Sequence, residues 1–218
     1  MDINTLIPVL WQGLLETLAM TIASAVFAYI LGIPLALLLY STAPGGLTPK
    51  PVLNRILNII TNILRSIPFL ILLIWIMPFT RFIVGTTIGT PAAIVPLVIS
   101  AAPYVARMVE SSLLEVDGGL IEAACSMGAD TKSILFKVVL PEALPSLILG
   151  GSIAVTTILG YSTMAGFVGG GGLGAIANNY GLFRYDYFTM FITVILIVIL
   201  VQIIQAAGSR LALKIDKR

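Results

Sequence analysis

Two groups of residues in this 218-residue chain have types and spacings that suit chemistry. Ser152, Thr156, Gly160 and Thr163 follow one another at intervals of four, four and three, so a helix would set them on one face. Hydroxyls without a neighbouring charge can hand a zwitterion along by hydrogen bonds without holding it tightly. The same spacing serves small-residue packing against another helix, and both readings stand. Tyr161 and Met164 lie beside this face and can shape an opening for an apolar side chain. The second group is Glu122-Ala123-Ala124, then Gly128, then Leu140-Pro141. It falls in the stretch holding six of the ten acids: Glu110, Glu115, Asp117, Glu122, Asp130 and Glu142. Other chemistry is excluded. Without histidine there is no His-based catalysis, proton relay or metal site. The single cysteine, Cys125, excludes an internal disulfide or Cys-pair zinc site, and a small buried thiol is expected there. No Gly-Lys pair occurs, so no phosphate loop of the G-x-x-x-x-G-K-S/T type can form, and ATP would have to be hydrolysed by another chain.

The elements that position these groups follow from composition. Hydrophobic residues make up 58% of the chain, charged residues 10%, and the mean hydropathy is +1.06. So few charges cannot cover a water-soluble globule, and the aliphatic content excludes disorder. The net charge of +2 gives no argument for nucleic acid. An all-α integral membrane protein is expected, a single transmembrane domain over 1–218 with five spans at about 14–40, 56–79, 90–113, 145–166 and 187–209. The second span is interrupted by Arg65, expected in the first third of a helix kinked by Pro68, with its side chain reaching the interface.

Basic residues set the orientation. Lys50, Arg55, Arg65, Arg107, Lys132, Lys137, Arg210, Lys214, Lys217 and Arg218 fall on one set of alternate sides, against Arg81 and Arg184 on the other. The N-terminus is therefore expected outside and the C-terminus in the cytoplasm. The N-terminal Met-Asp-Ile-Asn lacks a basic region, so the first apolar run reads as a retained span.

The polar segment at about 115–142 is long enough to fold outside the bilayer. Leu120–Met127 reads as a short helix stopped by Gly128. Asp130 or Thr131 can cap a second helix with Ile134, Leu135, Val138 and Val139 on its apolar face, ended by Leu140-Pro141. Such an elbow can lie on headgroups, but its acidic balance suits protein docking better than an anionic leaflet.

Glu122-Ala123-Ala124, Gly128, Val138 and Leu140-Pro141 at these spacings resemble the EAA loop of the membrane subunits of ABC-type importers. That pattern has Ile where this chain has Val138. Leu64-Arg65-Ser66-Ile67-Pro68-Phe69, Met77-Pro78-Phe79-Thr80-Arg81, Ala102-Pro103-Tyr104-Val105-Ala106-Arg107 and Gly160-Tyr161-Ser162-Thr163-Met164-Ala165-Gly166 narrow the resemblance to methionine-importing permeases. The resemblance implies an inner-membrane homodimer, two ABC ATPase subunits carrying ATP and Mg, an extracytoplasmic binding lipoprotein and an amino-acid substrate. It implies that Glu122 faces basic groups of the ATPase, Ala123 and Ala124 permit close approach, Gly128 makes the turn, and Leu140 and Pro141 fix re-entry into the fourth span. This chain would have no catalytic residue and no cofactor of its own.

Importers of another amino acid or small solute remain open, as does a structural membrane anchor. An ion-coupled secondary transporter is disfavoured, because no acid lies between Thr17 and Met108 or in the last two spans. The run Gly169 to Gly174 contains a G-x-G-x-x-G but no surrounding βαβ unit. It reads as a flexible turn, or alternatively as a hinge or gate. Gln202 and Gln205 share a face of the last span, suited to interhelical hydrogen bonding.

Overall fold

Charge-free runs become long helices in the computed structural model, which describes residues 3–216 and contains no strand among them. Met1 and Asp2, counted in the uncharged-by-bases N-terminal tail, and Lys217 and Arg218, counted in the basic C-terminal tail, lie outside the described residues. Helix α1 (Ile3–Thr42) is about 60 Å long at 1.5 Å per residue, well beyond the hydrocarbon core. Pro8 and Pro34 both lie inside it, each withholding one N–H from the helix ladder. α5 (Thr90–Leu114), the continuous helix Thr131–Gly166 and α10 (Tyr187–Ile215) are also long and apolar enough to cross a membrane.

The second apolar run is not one kinked helix. It divides into α2 (Pro51–Ser66) and α3 (Phe69–Trp75), bent by 96° at the break, followed by α4 (Met77–Val84). Ile67 precedes proline and takes the extended conformation, ψ 121°, which stops α2 outright. Arg65 therefore sits in the last turn of α2, where a cation favours the negative helix end, and not in the first third of a span. Counting the bent pair as one crossing gives five candidate spans, otherwise four.

A second correction concerns Leu140-Pro141, which do not end a helix. A single turn, α7 (Thr131–Ser133), passes into a π-helical segment, Ile134–Val139, and on into α8 (Leu140–Gly166). The Leu140 N–H reaches back five residues to the Leu135 carbonyl. The widened turn lets the hydrogen-bond ladder step around Pro141, which has no N–H to offer.

The core lies where α1 packs along α5. Ala25, Ala28 and Ala36 of α1 meet Ala101, Val105 and Ala106 of α5, all buried. Gly32 sits against Val105 and the Ala102 carbonyl, so a Cβ there would stand 2.8 Å from Val105 Cγ1. In lipid, close backbone approach through small residues does what the hydrophobic effect does in water. The same core continues through Val109 and Leu113 into Ala124, Ile134 and Val139, so the polar segment is rooted in the bundle. The remaining pieces, α9 (Gly172–Ile176) and a π-helical segment Ala177–Leu182, pack against α1, α8 and α10.

Candidate functional site

The elbow is built by local cap chemistry. α6 (Gly118–Ser126) starts at Asp117, whose carboxylate accepts from the Gly119 N–H at 2.7 Å. It ends with Gly128 at φ 77°. The Gly128 N–H bonds to the Cys125 carbonyl at 2.9 Å and the Ala129 N–H to the Ala124 carbonyl at 3.1 Å, a complete Schellman closure. Asp130 caps the next helix, accepting from the Ser133 N–H at 3.3 Å; Thr131 does not. Ile134, Leu135 and Val139 are buried, and Val138 packs partly against them.

Only Ala124 of α6 is buried, against Ile134 and Leu135. Glu122, Ala123, Ser126 and Gly128 all face outward. Cys125 is also exposed, which corrects the expectation of a buried thiol: α6 presents one face to the core, and Cys125 is on the other. Leu140 packs partly into the core while Pro141 is exposed, lining a cleft of about 660 Å³ with Leu120, Lys137 and Leu144. The sequence reading missed Leu120 and Met127, 44% and 81% exposed. Two large apolar side chains seven apart within a polar segment were the available signal.

Hydrogen bonds from the Ser133 side chain and backbone hold the Asp130 carboxyl below the ordinary aspartate range. A depressed folded-state pKa gives stabilisation that is complete above the unfolded value and disappears as pH falls through the folded one. The elbow cap is thus expected to be indifferent to pH from neutrality down to about 5, and lost only in stronger acid. Carboxyl-carbon NMR titration of Asp130, with Ser133 amide exchange followed alongside, measures this. At the other end, Asp186 is lowered in the same way by the Thr189 backbone N–H and hydroxyl as it caps α10.

The hydroxyl face divides on inspection. Ser152 is buried against Gly208 of α10, so this end is a helix contact. Thr156 and Thr163 are half-buried, and a Cβ on Gly160 between them would meet open space. The hydroxyls of Ser152, Thr156 and Thr163 donate to the carbonyls of Leu149, Ser152 and Gly160. Their oxygens retain lone pairs, so the face offers acceptors. Tyr161 stacks on Phe69 at the head of α3, centroids 4.8 Å apart and planes within 8°. Met164 is exposed.

The glycine run is not a flexible turn. The Gly172 N–H donates to Glu16 Oε2 at 2.7 Å and the Leu173 N–H to Thr17 Oγ1 at 2.9 Å. Gly89 N–H donates to the Gly169 carbonyl at 2.8 Å. Gly169, Gly171 and Gly172 take positive φ, and Gly174 lies directly on the Thr163 backbone. Glu16, at the edge of the first expected span, is thus a latch inside α1; Gln12 Nε2 donates to its other oxygen at 2.9 Å. Also unanticipated is a polar row on α2, Asn54, Asn58 and Asn62, joined to Arg107 of α5. Its sequence signal was amides at intervals of four. Among the described residues no three His, Cys, Asp or Glu side chains are grouped to hold a metal ion.

The chain thus joins a capped elbow to a bundle of helices long enough to cross a membrane. Residues 28–217 match the family model of the inner membrane component of binding-protein-dependent transport systems, and the chain belongs to that family. It is similar to the probable D-methionine transport system permease protein MetI of Vibrio cholerae, 49% identical over 215 residues covering 99% of this chain and 94% of the relative. To the D-methionine transport system permease protein MetI of Escherichia coli K12 it is 52% identical over 162 residues, 73% of this chain and 75% of that one. A chain of the methionine ABC transporter MetNI, solved in inward-facing conformations, superposes with a TM-score of 0.97 at 49% identity, with 100% of both chains covered. A chain of an amino acid ABC transporter solved with histidines shares the fold at a TM-score of 0.80 and 19% identity, covering 98% of this chain and 99% of that one.

Proposed function

We propose that this chain is the membrane-spanning subunit of an ATP-driven, binding-protein-dependent methionine importer. It works as a homodimer in the inner membrane, and the bent pair α2–α3 counts as the second of five spans. The N-terminus is outside; the elbow and C-terminus are cytoplasmic, on the side where Lys50, Arg55, Lys132, Lys137, Arg210 and Lys214 gather. Two ATPase subunits bind ATP and Mg, and an extracytoplasmic lipoprotein delivers the amino acid. The observation that carries the reading is the elbow: a capped, Schellman-closed helix displaying Glu122, Ala123, Leu120 and Met127 outward from the bundle core.

Glu122 meets basic groups of the ATPase, Ala123 allows close approach, and Leu120 and Met127 supply apolar contact. Ala124 anchors α6 inward, and Leu140 and Pro141 carry its displacement into α8. The path runs along Thr156, Gly160 and Thr163, with Tyr161 and Met164 at its opening. Ser152 belongs to the α8–α10 contact. Gly160 beside open space supports this placement.

Proteoliposomes holding this chain, its ATPase and the binding protein test the reading. Methionine uptake is expected only with ATP, and uptake without ATP overturns coupling. Gly160→Leu is expected to reduce uptake about tenfold while leaving ATPase binding intact, a change of about 1.4 kcal/mol in the passage barrier. Unchanged uptake in that variant would remove Gly160 from the path.

A further inference from the structure

Helix α2 is held to its own subunit in an unusual way. Of its sixteen residues only Asn54 and Thr61 are buried. Val52, Leu53, Ile56, Ile59, Ile60 and Ile63 are all exposed. Apolar burial within the subunit is confined to Leu57 and Leu64, each half-buried, and does little to fasten it. Both ends are breaks: the 96° bend at Ile67-Pro68, and the loop 43–50 that joins it to α1.

What fastens it is a directed chain of hydrogen bonds. Arg107 Nη2 on α5 donates to the carboxamide oxygens of Asn58 and, at 3.2 Å, Asn62. Asn58 Nδ2 donates to Asn54 Oδ1 and to the Asn54 carbonyl, both at 2.8 Å. Asn54 Nδ2 donates to the Leu39 carbonyl at 2.8 Å and Thr42 Oγ1 at 3.2 Å, in the last turn of α1. Asn58 and Asn54 each accept on the arginine side and donate toward α1, while Asn62 accepts only from the guanidinium. The guanidinium charge thus polarises the row toward the negative end of α1, and each bond strengthens the next. Glu110 holds the guanidinium from behind, its Oε2 2.7 Å from Nη1. Arg107 is 24% exposed and Glu110 11%, so the pair is shielded without being sealed from water.

Arg107 and Glu110 stand on the last two turns of α5, which passes through Glu115 and Val116 into the Asp117 cap of the elbow. We infer that Arg107 is a positioning residue for transport: it ties α2 to α5, so that displacement of the elbow moves α2 as well. The inference rests on the importer reading above. Without the guanidinium, α5 moves and α2, hinged at both ends, does not follow.

The test uses the reconstituted complex of this chain with its ATPase and binding protein, and reads methionine imported per ATP hydrolysed. Arg107→Gln is expected to reduce that ratio about tenfold with ATP hydrolysis nearly unchanged, within the range of coupling effects known for residues that touch no ligand. Arg107→Lys keeps the charge but not the fork that spans two carboxamides, so partial rescue is expected. A second measurement needs no transport. Spin labels at Ile59→Cys and Ser111→Cys, on a Cys125→Ser background, report the α2–α5 distance in the purified chain. That distance is expected to be narrow with Arg107 and broad with Arg107→Gln. A narrow distribution in the variant overturns the inference, as does a parallel fall of uptake and hydrolysis. If the complex with Arg107 intact shows no ATP-dependent uptake, the importer reading falls, and the label distances alone decide the latch.

Discussion

Gly128→Val is expected to abolish most ATP-driven uptake while leaving the protein inserted in the membrane. Gly128 holds φ 77° and forms the left-handed step of the Schellman closure between α6 and α7. A β-branched residue is a genuine outlier in that region, and the left-handed conformation costs an L-residue about 1–2 kcal/mol. No atom lies within 4 Å of the added Cβ, so crowding contributes nothing and the cost is purely conformational. That sum is too small to unfold a membrane bundle. It is large enough to favour another turn geometry, which redirects the exposed face of α6. Gly128→Asn is the control, since asparagine enters the left-handed region several-fold more readily than most residues. ATP-driven uptake is expected to fall by about tenfold or more in the valine variant and to be largely retained in the asparagine variant. Equal uptake in the two would show that the backbone conformation at Gly128 does not govern coupling.

Gly174→Ala is expected to act on the fold itself. Its Cβ would fall on the Thr163 carbonyl and backbone, which belong to a helix and cannot turn aside as a side chain can. Forcing them apart separates α9 from α8 and pulls Gly172 and Leu173 away from Glu16 and Thr17. Overpacking a tight contact costs about 1–3 kcal/mol, and more where backbone must move. Detergent-solubilised protein should unfold several degrees lower and be recovered in smaller yield. Gly118→Ala, where an added Cβ meets nothing within 4 Å, is expected to be neutral. A melting temperature shared by both variants would contradict the close contact.

These two glycines also mark what can be read from sequence. The elbow was legible because its signals are local: Gly128 and Asp130 terminate or cap helices within a few residues of themselves, whereas the Asp117 cap, which starts α6 two residues before Leu120, went unread. The long helices were legible because lipid demands apolar runs of set length. The stop at Pro141 was misread for a cooperative reason, since a π-helical turn redistributes hydrogen bonds over six residues and leaves no mark in composition. Arg65 and the break at Pro68 were misplaced because hydropathy does not distinguish a kink from a 96° bend. In the expected path, spacing placed Ser152 and Thr156 along one helix, but only the tertiary contact with Gly208 separates packing from open face. The Gly172 latch joins residues 156 apart in the chain, beyond any periodicity argument.

The polar fastening of α2 also bears on the order in which the chain is built. Asn54, Asn58, Asn62, Arg55 and Arg65 fall within sixteen residues, so this segment gains little by entering lipid alone. The guanidinium that satisfies Asn58 lies 49 residues further along and is made only after α3, α4 and most of α5. Until α5 is synthesised, the row of carboxamides on α2 lacks the cation that completes it. The fastening of an early segment thus depends on a residue that is made late.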